Sequence, residues 1–241
     1  MEKYEIIKQR FDKVYDQIQA SVLRGKVFPE ESKLRLSLPL KDGKGQYIFN
    51  IKDTNATGPK DISLDRNDVF VINNWAVMLG IENTTTGQEK LYTFSPINDG
   101  THPSIFEAGF TQNQIDKLWD GYLQWLLDNQ VMLSTYPMEK FHKVPRTQGA
   151  FVLDSNNEAV QEGIQTERNL DHDLELVIPK YIIAGTRDHK ITVNFDAANL
   201  TFPVTTGYKA NLVLLMEGFL VKGGCQNIDG NNPFGDAVGN W

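Results

Sequence analysis

Between Leu174 and Gly223 three apolar runs, LELVIPKYIIAG, ITVNFD and KANLVLLMEGFLVKGG, are separated by polar or glycine-containing breaks. Runs rich in Val, Ile, Leu and Phe with such borders predict sequential strands. The last, Leu212 to Val221, is apolar almost throughout, as a strand covered on both faces requires. Upstream the period is two. Leu34, Leu36, Leu38 and Leu40 alternate with Lys33, Arg35, Ser37 and Pro39. That predicts a strand with one buried face, and Pro39 puts it at an edge or a strand end. Asp42-Gly43-Lys44-Gly45 is a turn, and Gln46 to Lys52 is the expected hairpin partner. Val69 to Ile72 is strand-like; beyond Asn73-Asn74, Trp75, Val77, Leu79 and Ile81 alternate again. A threonine-rich turn at 83–88 leads to a short strand at 91–94, and Gln130 to Thr135 is strand-like.

Two segments carry a helical period instead. Ile7, Phe11, Val14, Ile18 and Val22 form one apolar stripe over residues 4 to 23, and Gly25 follows as a stop signal. The stripe either packs on its own domain or docks on a neighbouring subunit. Over Thr111 to Leu127, Ile115, Leu118, Trp119, Tyr122, Leu123, Leu126 and Leu127 share one broad face. Thr111 and Gln114 stand at capping-box positions. This second helix is expected to cover one face or end of the β body. Asp154 to Glu162 is polar and predicts a surface loop. The tail, QNIDGNNPFGDAVGNW, is punctuated by Gly, Asn and Pro, with isolated Ile228, Phe234, Val238 and Trp241. It suits an extended arm rather than a core element.

The expected organisation is therefore an N-terminal helical arm at 1–26, a β domain at 27–225 with a helical insertion near 111–127, and an extended arm at 226–241. The fold class is mainly β: a jelly-roll-type antiparallel β-sandwich or barrel with an N-terminal helix and one inserted helix. The candidate subunit-interface residues are Ile7, Phe11, Val14, Ile18, Phe234, Val238 and Trp241.

Composition narrows the function classes. The 241 residues are 40% hydrophobic and 23% charged, which suits a folded chain with a sizeable core. A net charge of −7 makes it a poor general nucleic-acid binder. Any genome contact is expected to be weak and confined to the Lys and Arg of the N-terminal segment. With one cysteine, Cys225, no intrachain disulfide forms. No run approaches the roughly 18 apolar residues of a membrane span. No signal-peptide pattern opens the chain, so synthesis in a cytoplasm without export is expected. The sequons at Asn55, Asn83 and Asn199 are then turn chemistry.

Candidate chemistry is sparse. His102, His142, His172 and His189 make no metal-ligand spacing with one another. Asp171-His172-Asp173 and Arg187-Asp188-His189-Lys190 are expected as solvated turns. The His-x-His of cupins and the Gly-x-Ser-x-Gly of a nucleophile elbow do not occur. Gly43-Lys44-Gly45 precedes a strand rather than the helix N-terminus a phosphate loop needs. Asp154-Ser155-Asn156-Asn157-Glu158 lacks the central glycine of a calcium loop. No catalytic residue, metal or cofactor is expected. Trp75, Tyr92 and Trp125 could stack on sugars in a carbohydrate-binding module, although core packing is their plainer role.

Three segments resemble virion proteins of bacteriophages, particularly jelly-roll capsid proteins. The first is Leu64-Asp65-Arg66-Asn67-Asp68-Val69-Phe70 leading into Trp75-Ala76-Val77-Met78-Leu79-Gly80; the second is Val144-Pro145-Arg146-Thr147-Gln148-Gly149. The third joins Leu176-Val177-Ile178-Pro179, Ala184-Gly185-Thr186 and Ile191-Thr192-Val193 to Leu214-Leu215-Met216-Glu217-Gly218-Phe219-Leu220. The resemblance implies a non-enzymatic virion subunit that self-assembles into an icosahedral shell, most simply as a major capsid protein. Its partners would be copies of itself and other virion proteins. The alternative is a carbohydrate- or receptor-binding β-sandwich serving as a minor capsid, spike or decoration protein.

Overall fold

The computed structural model describes residues 28–51, 60–94, 116–143, 147–153, 159–166, 174–195 and 204–227, with Asp12, Asp16, Ile18, Gln19 and Phe202. Among these residues the chain is mainly β. Strands β1 (Pro29–Pro39), β2 (Gln46–Asn50), β3 (Val69–Asn83) and β4 (Glu89–Tyr92) are followed by β5 (Tyr122–Leu127) and β6 (Gln130–Pro137). Then come β7 (Thr147–Leu153), β8 (Ala159–Thr166), β9 (Glu175–Ala184), β10 (His189–Asn194) and β11 (Tyr208–Val221).

Two antiparallel sheets form the body. One runs β1-β11-β3-β4, with β9 also paired to β3; the other runs β2-β10-β5-β6. β7 and β8 pair only with each other. With β4, β7 and β8 set aside, the pairing is nested. The first strand pairs the last (β1–β11), the second the next-to-last (β2–β10), then β3–β9, with β5–β6 innermost. Links β11–β3 and β10–β5 complete each sheet.

The core lies between the sheets. Leu34 and Leu36 of β1, Leu212, Leu214 and Met216 of β11, and Val77 and Leu79 of β3 supply one wall. Tyr47 and Phe49 of β2, Ile191 and Val193 of β10, and Leu123 and Trp125 of β5 supply the other. The expectation for β11 holds in part: consecutive residues Leu212, Val213 and Leu214 are all buried, so both faces are covered there, whereas Phe219 further along is 42% exposed.

β3 is one strand, not two. Asn73 is an extra residue relative to β11, and the register with β9 shifts at the same place, where β9 has four residues between the partners of Ile72 and Asn74. The bulge reverses parity, so Phe70 and Ile72 point inward before it and Trp75 and Val77 after it. Gly218 sits opposite, where a Cβ would lie 1.9 Å from the Val71 carbonyl oxygen.

Four expectations need correction. The helix expected over 111–127 does not extend through its C-terminal half: Lys117–Trp119 is a 3₁₀ turn and Tyr122–Leu127 is β5. Leu123, Trp125 and Leu127 are buried on alternate positions, and Asp128 and Asn129, both at positive φ, close a tight hairpin to β6. That is the left-handed pair a two-residue hairpin turn needs. Next, β2 is not the hairpin partner of β1. It crosses to the other sheet and pairs with β10, because its inward residues Tyr47 and Phe49 complete the opposite wall. The segment from Arg187 to Lys190 is not a solvated hairpin turn. β9 and β10 lie in different sheets, and His189 is a buried strand residue. Finally, Ala159 to Glu162 belongs to β8 rather than to a loop.

Candidate functional site: a charge-poor sheet face on a charged body

Ionic groups concentrate on the outer face of the five-stranded sheet. Arg35, on β1, is one of the few buried charged residues. Its Nη1 lies 3.0 Å from Asp61 Oδ1, and its Nη2 donates to Glu89 Oε2 from β4. Ser37 donates to the same Asp61 carboxylate at 2.7 Å. Lys60, half-exposed, stands 3.8 Å from Glu89 and 3.7 Å from Glu82. The Glu89 side chain reaches across β3 above Gly80, where a Cβ would stand 2.6 Å from Glu89 Oε1. Glycine here makes room for an ion pair that ties two edge strands together. Residue 62 also forms a two-way backbone bridge with Arg35 (2.7 and 2.9 Å), which covers part of the β1 edge.

Aromatic rings join the two sheets from inside. Trp75 lies 6.3 Å from Trp125, 5.1 Å from Tyr136 and 5.5 Å from Phe141. Trp125 also meets Tyr181 at 4.9 Å and His189 at 5.9 Å. At the rim of this cluster the Tyr136 hydroxyl faces Glu175 Oε1 at 3.4 Å, and Lys143 Nζ holds Glu175 Oε2 at 2.9 Å. Burial first, and the Glu175 charge second, push the Tyr136 phenol up to about 12. Burial also raises Tyr47 and Tyr181. These phenols keep their protons in the folded chain where the unfolded chain has lost them. Their contribution to stability is therefore complete below pH ~10 and is lost as pH rises beyond it, for Tyr136 as pH approaches about 12. In an alkaline titration followed by tyrosine absorbance, Tyr136→Phe should remove a late-ionising component. Ionisation of all eight tyrosines together near the ordinary phenol value would contradict this.

At one end of the sandwich short loops are knitted together. Asp188 N donates to Asp128 Oδ1 at 2.9 Å, and Arg187 Nε lies 2.5 Å from Asp128 Oδ2. Nearby, Gly223 N donates to Asp68 Oδ1 at 2.8 Å, and the Cys225 thiol to the Asp68 carbonyl. His142 stacks on Trp119 with ring centroids 4.9 Å apart. These contacts hold loops in place, and none converges on a common reacting point. Among the described residues, no group of three or more His, Cys, Asp and Glu is placed to hold a metal. No helix among them is long and apolar enough to cross a membrane.

The outer face of the four-stranded sheet differs in kind. Across one row Ile48, Thr192 and Gln124 stand side by side; Gln46, Asn194 and Tyr122 form a second row. A third holds Asn50, Lys190, Leu126 and Val131. Lys190 is the sole charge in these rows and is tied to Asp188 at 3.0 Å. Ile48, Tyr122 and Val131 are 46%, 43% and 46% exposed, whereas central Thr192 is buried. Gln46 Nε2 donates to Asn194 Oδ1 at 2.9 Å, a side-chain amide pair between neighbouring strands.

Of the interface residues chosen from sequence, Ile18 is helical and buried within its own chain at 5% exposure. Ile7, Phe11, Val14, Phe234, Val238 and Trp241 lie outside the described residues, as do His102, Asp171-His172-Asp173 and the 154–158 segment. Trp75 and Trp125 are fully in the core, which removes them as sugar-stacking platforms. The charge-poor face was missed in sequence. Its one signal is the run of uncharged residues at alternate positions of 46–50, 122–126 and 192–194.

Comparison with family models, curated proteins and solved structures returned no match.

Proposed function

We propose that the chain is a structural virion protein of a bacteriophage, a jelly-roll subunit that assembles with copies of itself into an icosahedral shell as a major capsid protein. The observation that carries this reading is the nested pairing of the eight body strands. That nesting about the β5–β6 hairpin, divided between two sheets, supports the jelly-roll reading, an architecture used by shell proteins. That architecture also serves other functions, so the choice among them rests on the phage-like segments named above. The body is suited to crowding: β1 is partly bridged by residue 62, and β4 is short and charged. Such a subunit needs contact surfaces rather than an active site. Other virion proteins would be further partners, and weak genome contact would fall to the N-terminal Lys and Arg. The setting is the virion, after synthesis in the host cytoplasm.

The carbohydrate- or receptor-binding reading keeps one supporting observation, the exposed Tyr122 among side-chain amides on the four-stranded sheet. Sedimentation velocity and negative-stain electron microscopy of the purified full chain separate the two. Closed shells, or regular rings and patches that grow with concentration, are the expected result. A monomer at every concentration tested would end the shell proposal.

A further inference from the structure

We infer that the outer face of the four-stranded sheet is a homotypic contact, covered in the assembly by the same face of a second copy. This rests on the self-association proposed above and names the surface that performs it.

Charge selects the face. A chain of net charge −7 repels its copies, so contact costs least where charge is absent. When a face meets its own two-fold copy, identical surface patches are brought together, and charged residues of one sign then meet their like. The outer face of the five-stranded sheet carries Lys33, Glu82 and Glu217 around the Arg35 network. The outer face of β2, β10 and β5 carries only Lys190, already neutralised by Asp188. Depletion of charge with an exposed Tyr is the composition found at the centre of protein interfaces.

Hydrogen bonding points to the same occupant. Asn and Gln amides each donate and accept, so a face rich in them is complementary to itself. Gln46 and Asn194 make that exchange within one chain at 2.9 Å. A copy of the face can repeat it across an interface, while Ile48, Tyr122 and Val131 lose their exposure to water.

Size sets the strength. Four strands spaced ~4.8 Å apart and five or six residues long cover roughly 300–400 Å². A stable pairwise interface needs about 800 Å² per partner. The contact is therefore weak alone and becomes strong when repeated or joined to other contacts, as multivalent assembly requires.

The test compares full-length wild type with Ile48→Glu and Tyr122→Glu, and with Lys33→Glu on the other sheet as control. Each of the two face variants should raise the protein concentration needed for assembly by about tenfold or more, through like charges placed opposite each other. The control should assemble as wild type does. Both substituted face positions are more than 40% exposed, so the fold should persist, and circular dichroism checks it. Hydroxyl-radical footprinting of the wild type needs no variant and should show Tyr122 protected on assembly. Folded face variants that assemble at wild-type concentrations, or an unprotected Tyr122 in assembled protein, would overturn the inference and leave self-assembly standing. A wild type that stays monomeric removes the underlying reading as well. A monomer whose Tyr122 is instead protected by a glycan would assign this face to carbohydrate.

Discussion

Trp125→Ala is expected to lower the unfolding free energy by about 3–5 kcal/mol, the range for truncating a fully buried large side chain. Typical domains are stable by ~5–15 kcal/mol, so the loss is roughly a fifth of the whole at the least. The reason is position. Trp125 projects from β5 and touches Trp75 on β3 and Tyr181 on β9, so one side chain spans both sheets. Its removal leaves a cavity bounded by two rigid walls that cannot easily collapse. Trp125→Phe should cost well under half as much. It keeps most of the ring contact, and the indole N–H it deletes has no hydrogen-bond partner among the described residues. Denaturant unfolding measures both, with an unchanged slope as the check that the denatured state is the same. A loss below about 1 kcal/mol for the alanine variant would mean that Trp125 does not join the sheets as described.

The same residue shows where sequence reasoning stopped. Leu118, Trp119, Tyr122, Leu123, Leu126 and Leu127 satisfy a helical face, but Leu123, Trp125 and Leu127 equally satisfy a period of two. Periodicity alone cannot choose between them when a segment is apolar at so many positions. The Asp128-Asn129 turn and the ladder to β10 decide for the strand. Where the alternation is clean, as in Leu34 to Leu40 and Trp75 to Ile81, strands and inward residues were legible. Pairing partners were not. β2 meets β10 across some 140 residues of chain, and nothing in Asp42-Gly43 announces that the chain leaves its sheet instead of doubling back. Arg35 read as an ordinary solvent-facing member of an alternating strand. Its burial follows from carboxylates on two other segments, which only the fold brings together. The charge-poor face was invisible for the same reason: it belongs to several strands at once.

Arg35→Met should destabilise the chain by about 3–5 kcal/mol, although Met packs well and replaces the aliphatic stem of the side chain. The cost falls on the partners left behind. The side chains of Asp61 and Glu89 are 1% and 7% exposed, and each faces the guanidinium. Without it, Asp61 retains Ser37, and Glu89 retains Asn211 at 3.4 Å and the half-exposed Lys60. Two carboxylates near water-excluded surface would then share too little positive charge. Combining Arg35→Met with Asp61→Leu and Glu89→Met should recover most of the loss, since an apolar cluster of similar volume often equals a buried ionic one. Gly80→Ala should also be destabilising with every charge kept, because its methyl group would press on Glu89 Oε1 at 2.6 Å and on buried Val213 Cγ2 at 2.9 Å. Chemical denaturation of the three variants and the wild type reads the pattern. If Arg35→Met alone is as stable as wild type, the network is solvated and does not tie the strands together. If the triple variant falls as far as the single one, the loss comes from packing rather than from stranded charge.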